Sequence, residues 1–374
     1  MKKLALSILF ISSITSCFAQ FDNSPFYRSA KIDSASAKSL SLNISLLNFN
    51  KDNEYRNNIS DGYTLFGNHL AATLSYQPFS NAVIEGGINL RKDFGNKQYA
   101  EVAPILRANI KLGDLNLIFG SLYGNVNHQL IEPLYDFERV MTFNQEEGIQ
   151  IIVDKKKFWA DTWINWENML YAGDSIQEVV SGGTSLLFKL VDNEKMNFSI
   201  PFQFTAMHKG GQIDISEAPL TTIFNGAAGF KLEKKWKHPF FKSMCFEPYA
   251  AFYHNYSFTV QTPYTTGGGL YLNYGLKTKL TSILVSYWHG KYFQSSHGGG
   301  LYSSVSSTVK YAGYTEDIRQ LILLRLLTDI KIGEKLWLTT RFEPVFDLNF
   351  DKFEFSMGLY INYDSSFLLK KIKH

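Results

Sequence analysis

Along most of this chain, apolar and polar residues alternate for about ten positions, break, and alternate again. Alternation at every second residue is the period of a β-strand with two different faces. The clearest case is Ala82 to Arg91. Ala82, Ile84, Gly86, Ile88 and Leu90 share one face; Glu85, Asn89 and Arg91 share the other. In Glu101 to Lys111, Val102, Pro104, Leu106, Ala108 and Ile110 oppose Glu101, Arg107, Asn109 and Lys111. Phe353, Phe355, Met357, Leu359, Ile361 and Tyr363 oppose Glu354, Ser356, Gly358, Tyr360 and Asn362 near the end. A slip of one residue would turn Arg341 or Glu354 toward the apolar side. At mid-bilayer that costs roughly 2–4 kcal/mol for a basic group and less for an acidic one, so the register is well specified.

The pattern predicts about sixteen strands, near 39–47, 66–76, 82–91, 99–111, 115–123, 148–153, 158–167, 178–190, 196–208, 221–233, 244–253, 267–277, 281–289, 317–331, 336–346 and 353–363. Segments 148–153 and 281–289 alternate least cleanly, so fourteen strands remain an alternative. The gaps alternate in length. Gaps 77–81, 113–114, 154–157, 192–195, 278–280 and 333–335 are tight and carry turn residues. Gaps 48–65, 92–98, 124–147, 168–177, 209–220, 254–266 and 290–316 are mostly longer. Two break the rule: 234–243 is long for a turn, and 347–352 is short for a loop. This double rhythm fits an all-β, transmembrane antiparallel β-barrel in the cell outer membrane, with short periplasmic turns and long extracellular loops.

The first residues agree with export. Lys2 and Lys3, an apolar run from Leu4 to Ile14, and Cys17-Phe18-Ala19 read as a signal peptide over 1–19. Ile14-Thr15-Ser16-Cys17 also resembles a lipobox, which would leave Cys17 lipidated instead. The apolar run is too short to span a bilayer as a helix. Residues 20–38 then form a short periplasmic extension before the barrel, 39–374. The barrel domain includes the 124–147 gap, expected to fold inward.

Composition sharpens this. The chain carries 30 Phe, 21 Tyr and 6 Trp, a large aromatic payload for a protein with a polar interior face. Net charge is +3, and losing Lys2 and Lys3 leaves 35 basic against 34 acidic residues. A near-neutral chain is not a basic nucleic-acid binder. With two cysteines, Cys17 and Cys245, cleavage after Ala19 leaves Cys245 alone. Neither an intramolecular disulfide nor a cysteine-ligated metal site is then expected, and no cofactor or metal is called for.

A sixteen-stranded barrel keeps an aqueous lumen unless something fills it. The alternation points Glu85, Arg107, Asp161, Trp163, Arg325, Arg341 and Glu354 into that lumen. The 124–147 gap carries His128, Glu132, Asp136, Glu138, Arg139, Glu146 and Glu147 among the apolar anchors Leu130, Ile131, Leu134, Tyr135 and Phe137. So many anchors favour packing on the wall or in the lumen. There Glu132, Asp136, Glu138, Arg139, Glu146 and Glu147 would constrict the passage opposite the wall arginines. The alternative is a charged external loop packed on its neighbours.

No catalytic constellation stands out. Eight histidines are spread along the chain, and His208, His254, His289 and His297 fall near the predicted outer rim. None is spaced from Ser or Asp in a pattern that signals a triad. The glycine pairs and triplets at 182–183, 210–211, 267–269 and 298–300 precede no helix and are not phosphate cradles.

The run Gly124-Asn125-Val126-Asn127-His128-Gln129-Leu130-Ile131-Glu132-Pro133-Leu134 and the block Asp161-Thr162-Trp163-Ile164-Asn165-Trp166-Glu167 resemble segments of uncharacterised porins. As architecture, nearly the whole mature chain is similar to porin-type outer-membrane barrels of diderm bacteria. The resemblance implies an inward third loop over 124–147, and it carries no catalytic residue over to this chain. It departs at the end, where Asp364 to His374 follows the expected last strand.

The expected function is a channel through which small polar solutes diffuse, with outer-membrane lipids as surroundings. One alternative is a structural or interaction barrel, holding outer-membrane protein partners or copies of itself. A second is a hydrolase at the outer rim. The leading reading is not an enzyme.

Overall fold

The computed structural model describes residues 23–29, 32–143, 145–211 and 213–371. The expected leader, its cleavage site and Cys17 lie outside the described residues. Sixteen antiparallel strands follow one another around a single sheet. They are β1 Ser39–Arg56, β2 Asp61–Phe79, β3 Ala82–Asp93, β4 Glu101–Leu112, β5 Leu115–Ser121, β6 Glu147–Lys155, β7 Phe158–Asn168, β8 Val179–Asp192 and β9 Met196–Lys209. Then come β10 Thr221–Gly229 with its continuation Lys231–Lys235, β11 Phe241–Asn255, β12 Thr266–Thr278, β13 Ser282–Lys291, β14 Ile318–Lys331, β15 Leu336–Asp347 and β16 Lys352–Lys371. Both halves of β10 pair with β9 and β11, so the break at Phe230 is a bend within one strand. β16 returns to pair with β1 from Ser39↔Lys371 to Glu54↔Phe355, which closes the barrel. The fourteen-strand alternative is thereby removed.

The two faces divide as the alternation requires. On β3 and β4, Ile84 and Leu106 are 55% and 66% exposed, while Glu85 and Asn109 are 5% and 3% exposed. The outward row of β15 and β16 includes Phe342, Phe353, Met357, Leu359 and Ile361, all exposed. The lumen row of the same strands holds Thr339, Arg341, Glu354, Ser356, Tyr360 and Asn362, all buried. A greasy exterior and a polar interior make this an outer-membrane barrel. None of the helices among the described residues is long and apolar enough to cross a membrane.

The strands differ from expectation at their ends. A first outer gap over 48–65 was expected, but β1 runs to Arg56 and β2 starts at Asp61, leaving only 57–60 between them. The reason lies inside, where Lys51 and Asn53 on the β1 extension hold a carboxylate of the interior plug. At the other end, Asp364 to Lys371 is no tail. It continues β16 against Ser39 to Ser45, with a bulge at Leu40/Ser41.

Much of the lumen is filled. The connection 122–146, between β5 and β6, lies inside the cylinder, joined by the connection 292–317 and the N-terminal arm. Ile131 and Leu134 of the first connection pack with Phe293, Leu301 and Tyr302 of the second against Tyr249, Tyr271, Trp288 and Leu323 of the wall. Phe26 of the arm packs with Phe137, Val140, Met141 and Tyr360. Leu122, Tyr123, Leu130 and Tyr135 pack on Ile118 and Trp163. Burial of these apolar anchors, at about 25 cal/mol per Å² of apolar surface, is what holds the plug in an otherwise polar interior.

Candidate functional site

Three buried charge centres pin the plug to the wall. Arg325 on β14 ion-pairs with Glu132 and reaches Glu343 Oε1 at 3.5 Å. Its guanidinium also donates to the hydroxyls of Tyr271 (3.0 Å), Ser286 (3.1 Å) and Tyr302 (2.5 Å). Lys51 Nζ on β1 donates to Glu138 Oε1 at 2.7 Å, beside Asn53 Nδ2 at 2.8 Å and the Tyr63 hydroxyl. The third centre is His128, stacked on Trp163 with ring centroids 3.5 Å apart. Its Nδ1 lies 2.8 Å from Asp161 and its Nε2 2.9 Å from Glu146.

Burial opposes a charge on His128, but the Asp161 and Glu146 carboxylates more than offset it and raise the ring from 6.5 to about 9. Burial likewise opposes Glu146, yet His128 and the Tyr135 hydroxyl hold it down at about 2. The backbone N–H of Asn125 (3.0 Å) and the Tyr135 hydroxyl (2.6 Å) donate to the same carboxylate. A Cβ at Gly124 would run into that carboxylate, so glycine is required there.

The remaining sequence-predicted residues are placed as follows. Glu85 accepts from Arg107 Nη1 at 2.7 Å, and the Arg107 guanidinium sits 3.9 Å over the Tyr123 ring. Arg341 lies 3.7 Å over the Phe137 ring and donates to Asn23 of the arm at 2.7 Å. Glu354 caps the 57–60 turn, accepting from Arg56 N (2.6 Å) and Asn57 Nδ2 (2.7 Å). Asp136 accepts from the backbone of Glu138 at 3.0 Å, and Arg139 stacks on Tyr135 at 4.9 Å. Glu147 is exposed at the start of β6, accepting from Gln145 at 2.6 Å. Sequence reasoning missed Lys51, and it missed Arg319, which joins Asp347, Glu316 and the Leu301 carbonyl under the 292–317 connection. Arg319 sits on the lumen-facing row of β14, where parity alone could have marked it, whereas Lys51 lies beyond the alternating part of β1.

Beside the plug runs a cavity of about 980 Å³, lined by β1–β4, the arm and the turns at 278–282 and 334–335. Those turns belong to the short-turn end, periplasmic in such barrels. Glu85 and Arg107 are on its wall.

A different feature lies on the outward face. On β1 the outward row reads Leu40, Leu42, Ile44 and Leu46, then turns polar with Asn48, Asn50, Asp52 and Glu54. The adjoining outward positions are Thr64, Phe66 and Asn68 on β2 and Lys92 on β3, with Asp52↔Thr64, Asn50↔Phe66, Asn48↔Asn68 and Asn68↔Lys92 in register, and Phe66 packs on Phe94. Thr64 Oγ1 donates to Asp52 Oδ1 at 2.6 Å, in an exposed setting. Nearly opposite, on β9 and β10, His208 Nδ1 lies 2.9 Å from Thr222 Oγ1 among Phe224 and Tyr256. Among the described residues, no group of three His, Cys, Asp or Glu side chains is placed to hold a metal ion.

The fold resembles solved porins at low identity. The OprD porin of Pseudomonas aeruginosa superposes with a TM-score of 0.52 at 12% identity, over 89% of this chain and 98% of that one. An anion-selective porin from Comamonas acidovorans gives 0.52 at 6%, over 87% and 100%. A loop-deletion mutant of the OmpT outer-membrane protein of Vibrio cholerae gives 0.51 at 9%, over 87% and 99%. No curated protein matches the sequence. The sequence model of the lipid A 3'-O-deacylase-type family matches residues 32–372. That match overturns the expectation of a barrel that is not an enzyme, because the family is one of enzymes. A search for serine–histidine spacing along the chain could not have revealed this, since strand register, not sequence spacing, brings barrel residues together. With the matched region spanning almost the whole described barrel, the chain belongs to the lipid A 3'-O-deacylase-type family.

Proposed function

We propose that the protein is an outer-membrane esterase that removes an acyl chain from a lipid A-type glycolipid, working on its outward face at the outer rim. A lipid substrate stays in the leaflet, so it meets the wall from outside, at headgroup height. The polar break on β1–β3 is where the outward face ceases to be greasy. It also carries one cation, Lys92, of the sign that suits a phosphorylated headgroup. The observation that carries the reading is the 2.6 Å bond from the Thr64 hydroxyl to Asp52. Asp52 is positioned to take the proton of that hydroxyl, or of a water replacing it, as oxygen adds to the ester carbonyl. It then returns the proton to the sugar oxygen as the ester C–O bond breaks and the glycolipid alcohol leaves. An acyl-Thr64 ester, if formed, is then cleaved by water in the same way. The outward amide of Asn50, two residues along β1, is the nearest candidate to donate to the developing oxyanion. His208 and Thr222 form the rival pair, but no carboxylate takes part in their contact.

The test is release of fatty acid from purified lipid A by the folded protein, with Asp52→Asn and Thr64→Val as variants. Losing a general base or nucleophile lowers turnover about 10²–10⁴-fold. Equal activity in both variants, with loss in His208→Ala, would move the site to the other side of the barrel.

A second reading is passage of small polar solutes, favoured by the 980 Å³ cavity with Glu85 and Arg107 on its wall. In this reading Asp161, Trp163, Arg325, Arg341 and Glu354 line the route only when the plug shifts, and Glu132, Asp136, Glu138, Arg139, Glu146 and Glu147 set its constriction. Planar-bilayer conductance tests it: a folded protein that passes no ions, with or without the plug pins, ends this reading.

A further inference from the structure

The upper wall of the cavity holds two buried acceptor atoms that nothing in the described residues satisfies. His69 on β2 and Asn89 on β3 are 3% and 2% exposed, and both line the cavity. His69 Nε2 lies 2.9 Å from the Met141 carbonyl. A carbonyl only accepts, so Nε2 carries the proton and the neutral ring offers a lone pair at Nδ1. That Nδ1 has no partner. Asn89 Nδ2 donates to Glu101 Oε1 at 3.4 Å, which turns its Oδ1 the other way, also without a partner. The two residues are diagonal neighbours, since Ala71 pairs with Asn89 and His69 with Arg91. Such diagonals are about 7–8 Å apart. A buried acceptor left unpaired costs about 1–3 kcal/mol, so each such group calls for an explanation.

The surroundings narrow the answer. Below these atoms, the lumen rows of β1 and β2 present Ser41, Ser45, Thr73 and Ser75 to the cavity. The charge on this wall is cancelled internally, because Glu85 and Arg107 are paired at 2.7 Å. The cavity volume falls within the range of about 300–1,000 Å³ of small-molecule sites. We infer that this cavity binds a neutral polyhydroxylated ligand, a short saccharide, whose hydroxyl hydrogens are received by His69 Nδ1 and Asn89 Oδ1 and whose remaining hydroxyls meet the serine rows. An anion would meet two lone pairs aimed at it, and the other guanidinium lining the cavity, Arg28, already donates to the Tyr27 carbonyl and to Asn362 Oδ1. The inference deepens the passage reading by naming a solute class, and it is independent of the esterase reading.

Calorimetric titration of the full-length protein in detergent micelles tests it, with maltotriose as probe and glutamate as comparator. Maltotriose binds saturably and glutamate does not. His69→Phe keeps the ring beside Phe49 and Asn89→Ala removes the amide; each weakens maltotriose binding about three- to tenfold, one hydrogen bond's worth. Heat-modifiable mobility confirms that each variant is folded. If one is not, the maltotriose–glutamate contrast in the wild type still decides. Absence of saturable maltotriose binding overturns the inference, as does equal binding of glutamate, or an affinity unchanged in both folded variants. Saccharide binding without bilayer current supports the site while ending the passage reading. Current without saccharide binding does the reverse.

Discussion

The two polar regions of this barrel are built on opposite principles. Inside, three charged centres of the plug are buried and matched: Arg325 with Glu132 and Glu343, Lys51 with Glu138, His128 with Asp161 and Glu146. Outside, Asp52 and Thr64 share one side-chain hydrogen bond in an exposed setting, on a face that is apolar below them. The inner groups have structural employment, since removing either partner strands a charge away from water. The outer pair stabilises little, because exposed polar contacts contribute about 0–1 kcal/mol. The outer pair lies where β1 leaves the bilayer, at the height of lipid headgroups, and that placement points to chemistry, whereas the interior network points to a lock.

The largest effect that sharpens this contrast is catalytic. Asp52→Asn is expected to lower lipid deacylation about 10²–10⁴-fold while shifting stability by no more than about 0.5 kcal/mol, read by turnover and thermal unfolding of one preparation. An equally large loss of stability would make the outer pair structural and erase the distinction.

The next effect is inside. Arg325→Ala leaves Glu132 and Glu343 buried without their cation, and costs the plug about 3–5 kcal/mol. Hydrogen exchange over 122–146 should rise accordingly. The double change Arg325→Met with Glu132→Leu should recover part of that loss, because it removes both charges of the closer pair and leaves only Glu343 without its cation. A double variant as exchange-prone as the single one would show that the pair itself was not the pin.

A smaller effect follows pH. His128 is raised from 6.5 to about 9 in the folded plug, so its stabilisation is complete below pH 6.5 and fades as pH climbs through about 9. Glu146 is held at about 2 against 4.5, so its share is complete above pH 4.5 and fades as pH falls through about 2. Plug protection should therefore be greatest between pH 4.5 and 6.5, with Trp163 fluorescence, from the ring stacked on His128, as a local reporter. His128→Gln should flatten the alkaline side. The smallest effect is at the rim. Arg56→Ala breaks a largely exposed contact with Glu54 at 3.5 Å and should change stability by about 0–0.5 kcal/mol.

Much of the architecture was legible in the chain, because lipid and lumen impose a period of two. Ile84, Leu106 and Phe342 against Glu85, Arg107 and Arg341 set the register without any structure. The ends of strands were not legible for the same reason in reverse. Beyond the bilayer both faces of β1 are polar, as Asn50, Lys51, Asp52 and Asn53 show, so the alternation vanishes while the pairing continues. The interior pins were half visible. Arg325 and Glu132 could be assigned to the lumen and the loop, but their meeting across 193 positions of sequence needed the fold. The outward pair was least legible. Asp52 and Thr64 looked like residues of a long polar loop, and only the register of β1 on β2 sets them side by side.

The most direct measurement is the mass of lipid A after incubation with the folded wild-type protein and with Asp52→Asn. This account predicts a product lighter by one acyl chain with the wild type and unchanged lipid with the variant. Unchanged lipid A with the wild type, or the same product from both proteins, would contradict it.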